Sequence, residues 1–293
     1  MEEDFQLFTS LRFDWSMRTV LDIHPGDLGW NSETSSPLYM LTYHRDRMLK
    51  AALHWGWTKA IQAIEGGEGL GRLNQFVLST LKERLGERWG HDCEPMRIKV
   101  LLSRNGELAL ECSLVPATTL ANLFPDQLPA PDASDDPQSP TGEQHLGSLS
   151  LKPPYDVYID TDFTCASEFT HFKTTKREMY DLACQRAGLK PSDATKEVLV
   201  VNKESGVIME GSRTTPYFWK DGRWVTPRIA RSFDAQDVGA GGQDGTTRRW
   251  ALERKLAIER DVKAAELVDG EAVWLSNGVR GFVFGKIRRP SNP

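Results

Sequence analysis

No stretch of this chain approaches the roughly 18 consecutive apolar residues that a membrane-spanning helix needs, and none of its cysteines stands in a C-x-x-C pair. The four cysteines (Cys93, Cys112, Cys165, Cys184) are widely spaced in 293 residues, and the six histidines are scattered. That excludes a disulfide framework or a zinc site and reads as reduced thiols. Large basic blocks are missing too. Lys and Arg number 36 against 41 Asp and Glu, a formal charge of −5, whereas nucleic-acid backbones are bound by clustered cations. The closing KIRRPSNP is basic but short, and reads as a solvated tail. The opening MEEDFQLF is acidic and reads as neither a secretory signal nor a transit peptide. There are no internal repeats. The expectation is a cytoplasmic protein acting on a small molecule, with neither membrane nor nucleic acid as partner.

What is present is ordinary globular material. Hydrophobic residues make up 39% and charged residues 26%, enough for one large domain or two ordinary ones. LTYHRDRMLKAALHWGW and RLNQFVLSTLKERLG carry apolar residues at helical spacing. MRIKVLLSRNGELALECSLV alternates around Asn105-Gly106, a hairpin signal. EVLVVNKESGVIME and TPYFWKDGRWVTP read as further hairpins, the second turning at Asp221-Gly222. The Pro-, Asp- and Ser-rich LPAPDASDDPQSPTGEQ, 128 to 144, reads as a mobile loop inserted within a sheet. Two mixed α/β (α+β) domains are expected, 1–163 and 164–293, with the boundary where the strand PPYDVYID gives way to TDFTCASEF.

Four segments are candidates for chemistry. GAGGQDGTTRRW, 239 to 250, places hydroxyl residues after glycines at a helix start, where backbone N–H groups can hold a phosphate. It lacks both the G-K-[ST] loop and the dinucleotide G-x-G-x-x-G, so an ordinary flexible loop is the competing reading. Glu210 closes an apolar run headed into a core, and a carboxylate there must be paired or turned to water. His44 and Arg47 stand one turn apart, the pattern of a solvated helix face. EFTHFKTTKREMY offers Lys173 and Lys176 at what reads as a helix start. Lysines usually sit on solvated faces, but a deprotonated amine in a desolvated setting is a nucleophile.

Taken in order, EFTHFKTTKREMY, SGVIMEGSRTT, WVTPR, GTTRR and EAVWLSNGVRGFVFG, with DFQLFTSLRFD before them, resemble the class IV (fold-type IV) pyridoxal-phosphate enzymes. The fungal aminodeoxychorismate lyases are the nearest group. The resemblance implies two mixed α/β domains with the cofactor cleft between them, assembled as a homodimer. It implies that Lys173 carries pyridoxal 5'-phosphate covalently, that Glu210 holds the pyridine nitrogen protonated, and that Arg47, Thr246 and Thr247 bind the phosphate. Thr215 takes the place of the family's usual Asn in the cofactor site, and keeps only part of the amide's hydrogen-bonding set. Arg12 is implied to face the substrate's carboxylate. The activity implied is elimination of pyruvate from 4-amino-4-deoxychorismate to give 4-aminobenzoate for folate synthesis. Lys173 removes the ring proton, and either Lys173 or Thr9 returns one to the leaving group. The rival readings are a class IV aminotransferase for branched-chain, D-amino acid or amine substrates, and a non-catalytic relative of the same fold.

Overall fold

The computed structural model describes residues 5–19, 36–131, 149, 151 and 153–289, and these form two compact units. The first comprises the chain up to Thr118 together with Phe172–Lys176, and the second Thr119–His171 and the chain from Arg177 onward. The expected division at 163/164 therefore moves to 118/119. The reason is that the strand Tyr155–Thr164 is bonded into the second unit's sheet and not the first's. The 128–144 segment consequently joins two sheets instead of interrupting one. Its residues 132–144 lie outside those described, while Leu128 is buried and its carbonyl accepts the indole N–H of Trp224 at 2.9 Å.

The first unit holds an antiparallel sheet of β1 (Leu7–Phe13), β2 (Met96–Leu102) and β3 (Leu108–Leu114) in the order β1-β2-β3. β2 and β3 form the expected hairpin, with Gly106 at φ +81°, the left-handed turn conformation that glycine adopts at no steric cost. Helices α1 (Leu41–His54), α2 (Thr58–Ile64) and α3 (Gly66–Leu85) complete the unit. Leu41, His44, Met48, Ala51 and Ala52 are buried along α1, one stripe at i, i+3, i+4 and i+7 spacing.

The second unit is built on an eight-stranded mixed sheet. Its strands are β4 (Tyr155–Thr164), β5 (Lys196–Asn202), β6 (Ile208–Gly211), β7 (Thr215–Lys220), β8 (Arg223–Thr226), β9 (Ile258–Glu259), β10 (Ala272–Asn277) and β11 (Gly281–Arg288). Their order is β6-β5-β4-β11-β10-β7-β8-β9. On one face Leu199, Val201, Ile208, Phe218, Val273 and Leu275 make an apolar core. On the other, Val198, Val200 and Met209 pack against Tyr180 and Ala183 of α4 (Glu178–Arg186). Both faces of β5 are covered, which is why EVLVV reads as an unbroken apolar run and not as an alternation. The closing KIRRPSNP is not a tail as far as Arg288. Lys286–Arg288 are strand, with Ile287 fully buried, and 290–293 lie outside the described residues. The expected helix after GTT is present as α5 (Thr246–Glu253) but stops there, with Lys255 at φ +59° leading into β9.

Candidate active site

Lys173 does not begin a helix. Its segment is extended and bridged to β1. The Phe8 N–H donates to the Lys173 carbonyl at 3.1 Å, Leu7 pairs with Thr174, and the Thr175 N–H donates to the Gln6 carbonyl at 2.9 Å. Phe172 is anchored beside it by the rings of His54 and Trp55, with centroids 4.6 and 5.1 Å away. The lysine is half-buried, and its ammonium lies 5.0 Å above the Phe8 ring. A backbone bridge thus mounts Lys173 on the strand that also carries Thr9 and Arg12. Lys176, three residues on, has its N–H turned back on the Thr174 hydroxyl.

Thr9 is fully buried, with its hydroxyl 2.6 Å from Nδ1 of His44, and it accepts a bond from the Arg47 guanidinium at 2.7 Å. His44 is fully buried as well, contrary to the solvated face expected for it, because it occupies the apolar stripe of α1. Burial, then the charges of Arg47 and Lys173, holds its pKa well below the usual histidine range. The folded state therefore keeps His44 neutral where the unfolded chain protonates it. Between the lowered folded pKa and about 6.5, the unfolded state binds the extra proton. Stability from this site is complete above that window and falls as the pH drops through it, by up to about 1.4 kcal/mol per pH unit. Urea denaturation of wild type and His44→Asn at pH 7.5 and 5.5 is expected to show this slope in wild type alone. An equal slope in both proteins would place the titration elsewhere.

Arg12 is buried on β1. Nε donates to Asp14 at 2.8 Å, and both terminal nitrogens donate to the Pro116 carbonyl at 3.1 and 3.2 Å. These bonds tie β1 to the segment after β3.

In the second unit Glu210 is buried on β6, and its Oε1 lies 2.5 Å from the Tyr180 hydroxyl. Gln243, from the glycine loop 239–245, lies 3.1 Å from the same hydroxyl. Two glycines explain why that loop can approach. A Cβ on Gly242 would stand 2.7 Å from the Met209 carbonyl oxygen, and one on Gly245 would stand 2.8 Å from the Thr215 hydroxyl. Thr246 and Thr247 open α5, where the first intrahelical bond runs from Arg249 N–H to the Gly245 carbonyl. The N–H groups ahead of it lie outside the helix's own bonding. The Thr247 hydroxyl bonds Ser276 at 2.7 Å, and Ser276 in turn meets the Tyr217 hydroxyl at 2.8 Å.

The turn from Glu210 to Thr215 is held by a residue to which the sequence drew no attention. Glu197, buried on β5, accepts from the Ser212 hydroxyl at 2.6 Å, the Thr214 hydroxyl at 2.9 Å, the Val198 N–H at 2.9 Å and the Arg213 N–H at 3.3 Å. Glu197→Gln turns one acceptor into a donor facing donors. A loss of about 2–4 kcal/mol in urea denaturation is expected, and a loss under 1 kcal/mol would mean the turn does not depend on this carboxylate.

The structure thus gathers Lys173, Thr9, His44 and Arg47 in one unit, and Glu210, Tyr180, Gln243, Thr215, Thr246 and Thr247 in the other. Tyr180, Gln243 and Glu197 were missed because a phenol or amide acts through where it lies, and no spacing rule marks it. No group of three or more His, Cys, Asp or Glu able to hold a metal occurs among the described residues, nor does a helix long and apolar enough to cross a membrane.

Comparison with known proteins places this arrangement. Residues 75–286 match the family model described as amino-transferase class IV. The chain is 28% identical over 237 residues to the aminodeoxychorismate lyase of Saccharomyces cerevisiae, covering 75% of this chain and 57% of the yeast protein's length. Its fold is shared with a provisionally assigned amino-acid aminotransferase from Mesorhizobium loti, at 20% identity and TM-score 0.60, covering 97% of this chain and 100% of that one. It is also shared with 4-amino-4-deoxychorismate lyase from Pseudomonas aeruginosa, at 16% identity and TM-score 0.54, covering 97% and 82%. The mixed α/β architecture is the fold of these proteins. The chain belongs to the class IV aminotransferase family of pyridoxal-phosphate-dependent enzymes.

Proposed function

We propose that the chain binds pyridoxal 5'-phosphate and acts as a 4-amino-4-deoxychorismate lyase, releasing pyruvate to leave 4-aminobenzoate for folate synthesis. The likeness to the yeast lyase carries the choice of reaction. The donor set supports the cofactor. Lys173 offers an amine, and Glu210 offers a buried carboxylate for the ring nitrogen. The α5 N-terminus, with Thr246 and Thr247, suits a phosphate, and the family resemblance assigns Arg47 to the same group. The close approaches at Gly242 and Gly245 leave no room for a Cβ beside Glu210 and Thr215, as a backbone cradle requires. Thr215 stands against Gly245 and keeps a hydroxyl there in place of the family's amide.

When bound, the cofactor supplies an electron sink at the carbon bearing the substrate's amine. Lys173 takes the ring proton from that carbon. The bond from the neighbouring carbon to the enolpyruvyl oxygen breaks, the electron pair leaves with the oxygen, and the ring becomes aromatic. A proton returned to the enolpyruvate methylene makes pyruvate, so substrate divides into the two products with nothing added. Lys173 holds the proton it removed and is assigned its return. Thr9 is assigned a positioning task instead, since its hydroxyl is engaged by both His44 and Arg47. Assembly as a two-fold homodimer, with a small molecule as substrate, belongs to the same reading. The test is incubation of the purified protein with aminodeoxychorismate and pyridoxal phosphate. Equal amounts of 4-aminobenzoate and pyruvate are expected, and absence of both overturns the proposal. An aminotransferase would use the same cofactor residues but would require a keto acid.

A further inference from the structure

We infer that Tyr180 and Gln243 form a directed hydrogen-bond relay that keeps Glu210 ionised and holds its carboxylate in a fixed orientation for the cofactor's ring nitrogen. The inference rests on the reading that the chain binds pyridoxal phosphate. It assigns positioning roles to two residues outside the motifs.

The direction follows from donor counting. An ionised carboxylate only accepts, so a contact of 2.5 Å between Glu210 Oε1 and the Tyr180 oxygen requires the phenol proton between them. Tyr180 has one proton, and the other oxygen within its reach, the Thr170 carbonyl at 3.3 Å, is a longer and neutral acceptor. With that proton committed, the phenol oxygen can only accept from Gln243, which fixes the amide with Nε2 toward Tyr180 at 3.1 Å. Gln243 donates to Tyr180, and Tyr180 donates to Glu210.

The relay is built to stay in this state. Tyr180 is 2% exposed, and burial together with the neighbouring Glu210 charge raises its pKa well above the usual tyrosine range. It therefore remains a donor at neutral pH. The Arg177 guanidinium lies 4.4 Å over the Tyr180 ring and donates to the Ser212 carbonyl at 2.7 Å, which locks the ring against the turn that follows Glu210. On the far side, Gly242 lets the loop carrying Gln243 press onto β6.

The consequence concerns where a shared proton rests. A buried carboxylate facing a pyridine nitrogen forms either an ion pair or a neutral pair, and a donor on the carboxylate favours the ion pair. Tyr180 thereby keeps the proton on the ring nitrogen, where it strengthens the electron sink. It also holds the carboxylate in a fixed orientation through Oε1.

The test uses Tyr180→Phe, which keeps the ring and its packing, and Gln243→Leu. Each is reconstituted with pyridoxal phosphate and, separately, with the analogue carrying carbon in place of the ring nitrogen. With the natural cofactor, Tyr180→Phe is expected to bind about tenfold more weakly, to shift the pH dependence of the visible absorbance, and to lower kcat with KM nearly unchanged. Gln243→Leu is expected to do the same to a smaller degree. With the carbon analogue, which has no nitrogen to protonate, wild type and both variants are expected to bind alike. Equal binding, equal spectra and equal kcat with the natural cofactor would overturn the relay, as would a loss of affinity equally large with both cofactors, which marks simple structural damage. A wild-type protein that never develops a visible band would instead overturn the cofactor reading itself.

Discussion

Lys173→Ala is expected to abolish covalent retention of the cofactor and to reduce turnover by far more than any other single change, while Lys176→Ala leaves both intact. Losing a positioned proton-transfer group alone costs on the order of 10²–10⁴-fold, and this amine is also the proposed point of attachment. Geometry separates two lysines that composition cannot. The backbone of Lys173 is clamped to β1 by the Phe8 N–H and the Leu7–Thr174 bridge, and its ammonium is placed over Phe8. Borohydride reduction of the reconstituted protein followed by peptide mapping reads the result. A label on Lys173 supports the assignment, and a label on Lys176, or on neither lysine, sinks it.

Much of the fold was legible because local rules and global packing agree. Asn105-Gly106 and Asp221-Gly222 sit between alternating or apolar runs, and both are hairpin turns in the structure. The boundary at 163/164 was misplaced for a physical reason. A change from strand to polar residues marks the end of an element, but it does not say which sheet that element joins. β4 pairs with β5 and β11, both later in sequence, and only that pairing moves the division to 118/119. His44 was readable and was misread. It lies three residues after Leu41 and four before Met48, on the buried stripe of α1, so periodicity already turned it inward despite its polarity. Glu210 could be picked out because a carboxylate after three apolar residues needs a partner. That partner, Tyr180, lies thirty positions away and is brought there by the packing of α4 on β5 and β6. The ion pair of Arg12 with Asp14, two residues on, is a local contact that the motif did not announce.

Glu210→Gln is expected to lower turnover on the order of 10²–10³-fold, the scale of losing a fixed electrostatic partner of developing charge. The neutral amide cannot hold a proton on the ring nitrogen, and it also faces the Tyr180 hydroxyl with only one acceptor in place of two. Lyase and aminotransferase both need that nitrogen charged, so the loss by itself does not separate them. What separates them is where electrons and proton go once the substrate's proton has been removed. In the lyase the electron pair leaves with the enolpyruvyl oxygen, and aromatisation makes the step effectively irreversible. No second substrate is called for. An aminotransferase would instead need a keto acid to accept the substrate's nitrogen before each further turnover. Wild-type protein given aminodeoxychorismate is therefore expected to form 4-aminobenzoate and pyruvate one to one through many turnovers, at a rate that added keto acid leaves unchanged. Glu210→Gln should slow that same reaction without introducing a requirement for keto acid. A wild-type reaction that stops after one equivalent per site and restarts only when a keto acid is supplied would make the chain an aminotransferase and end the lyase assignment.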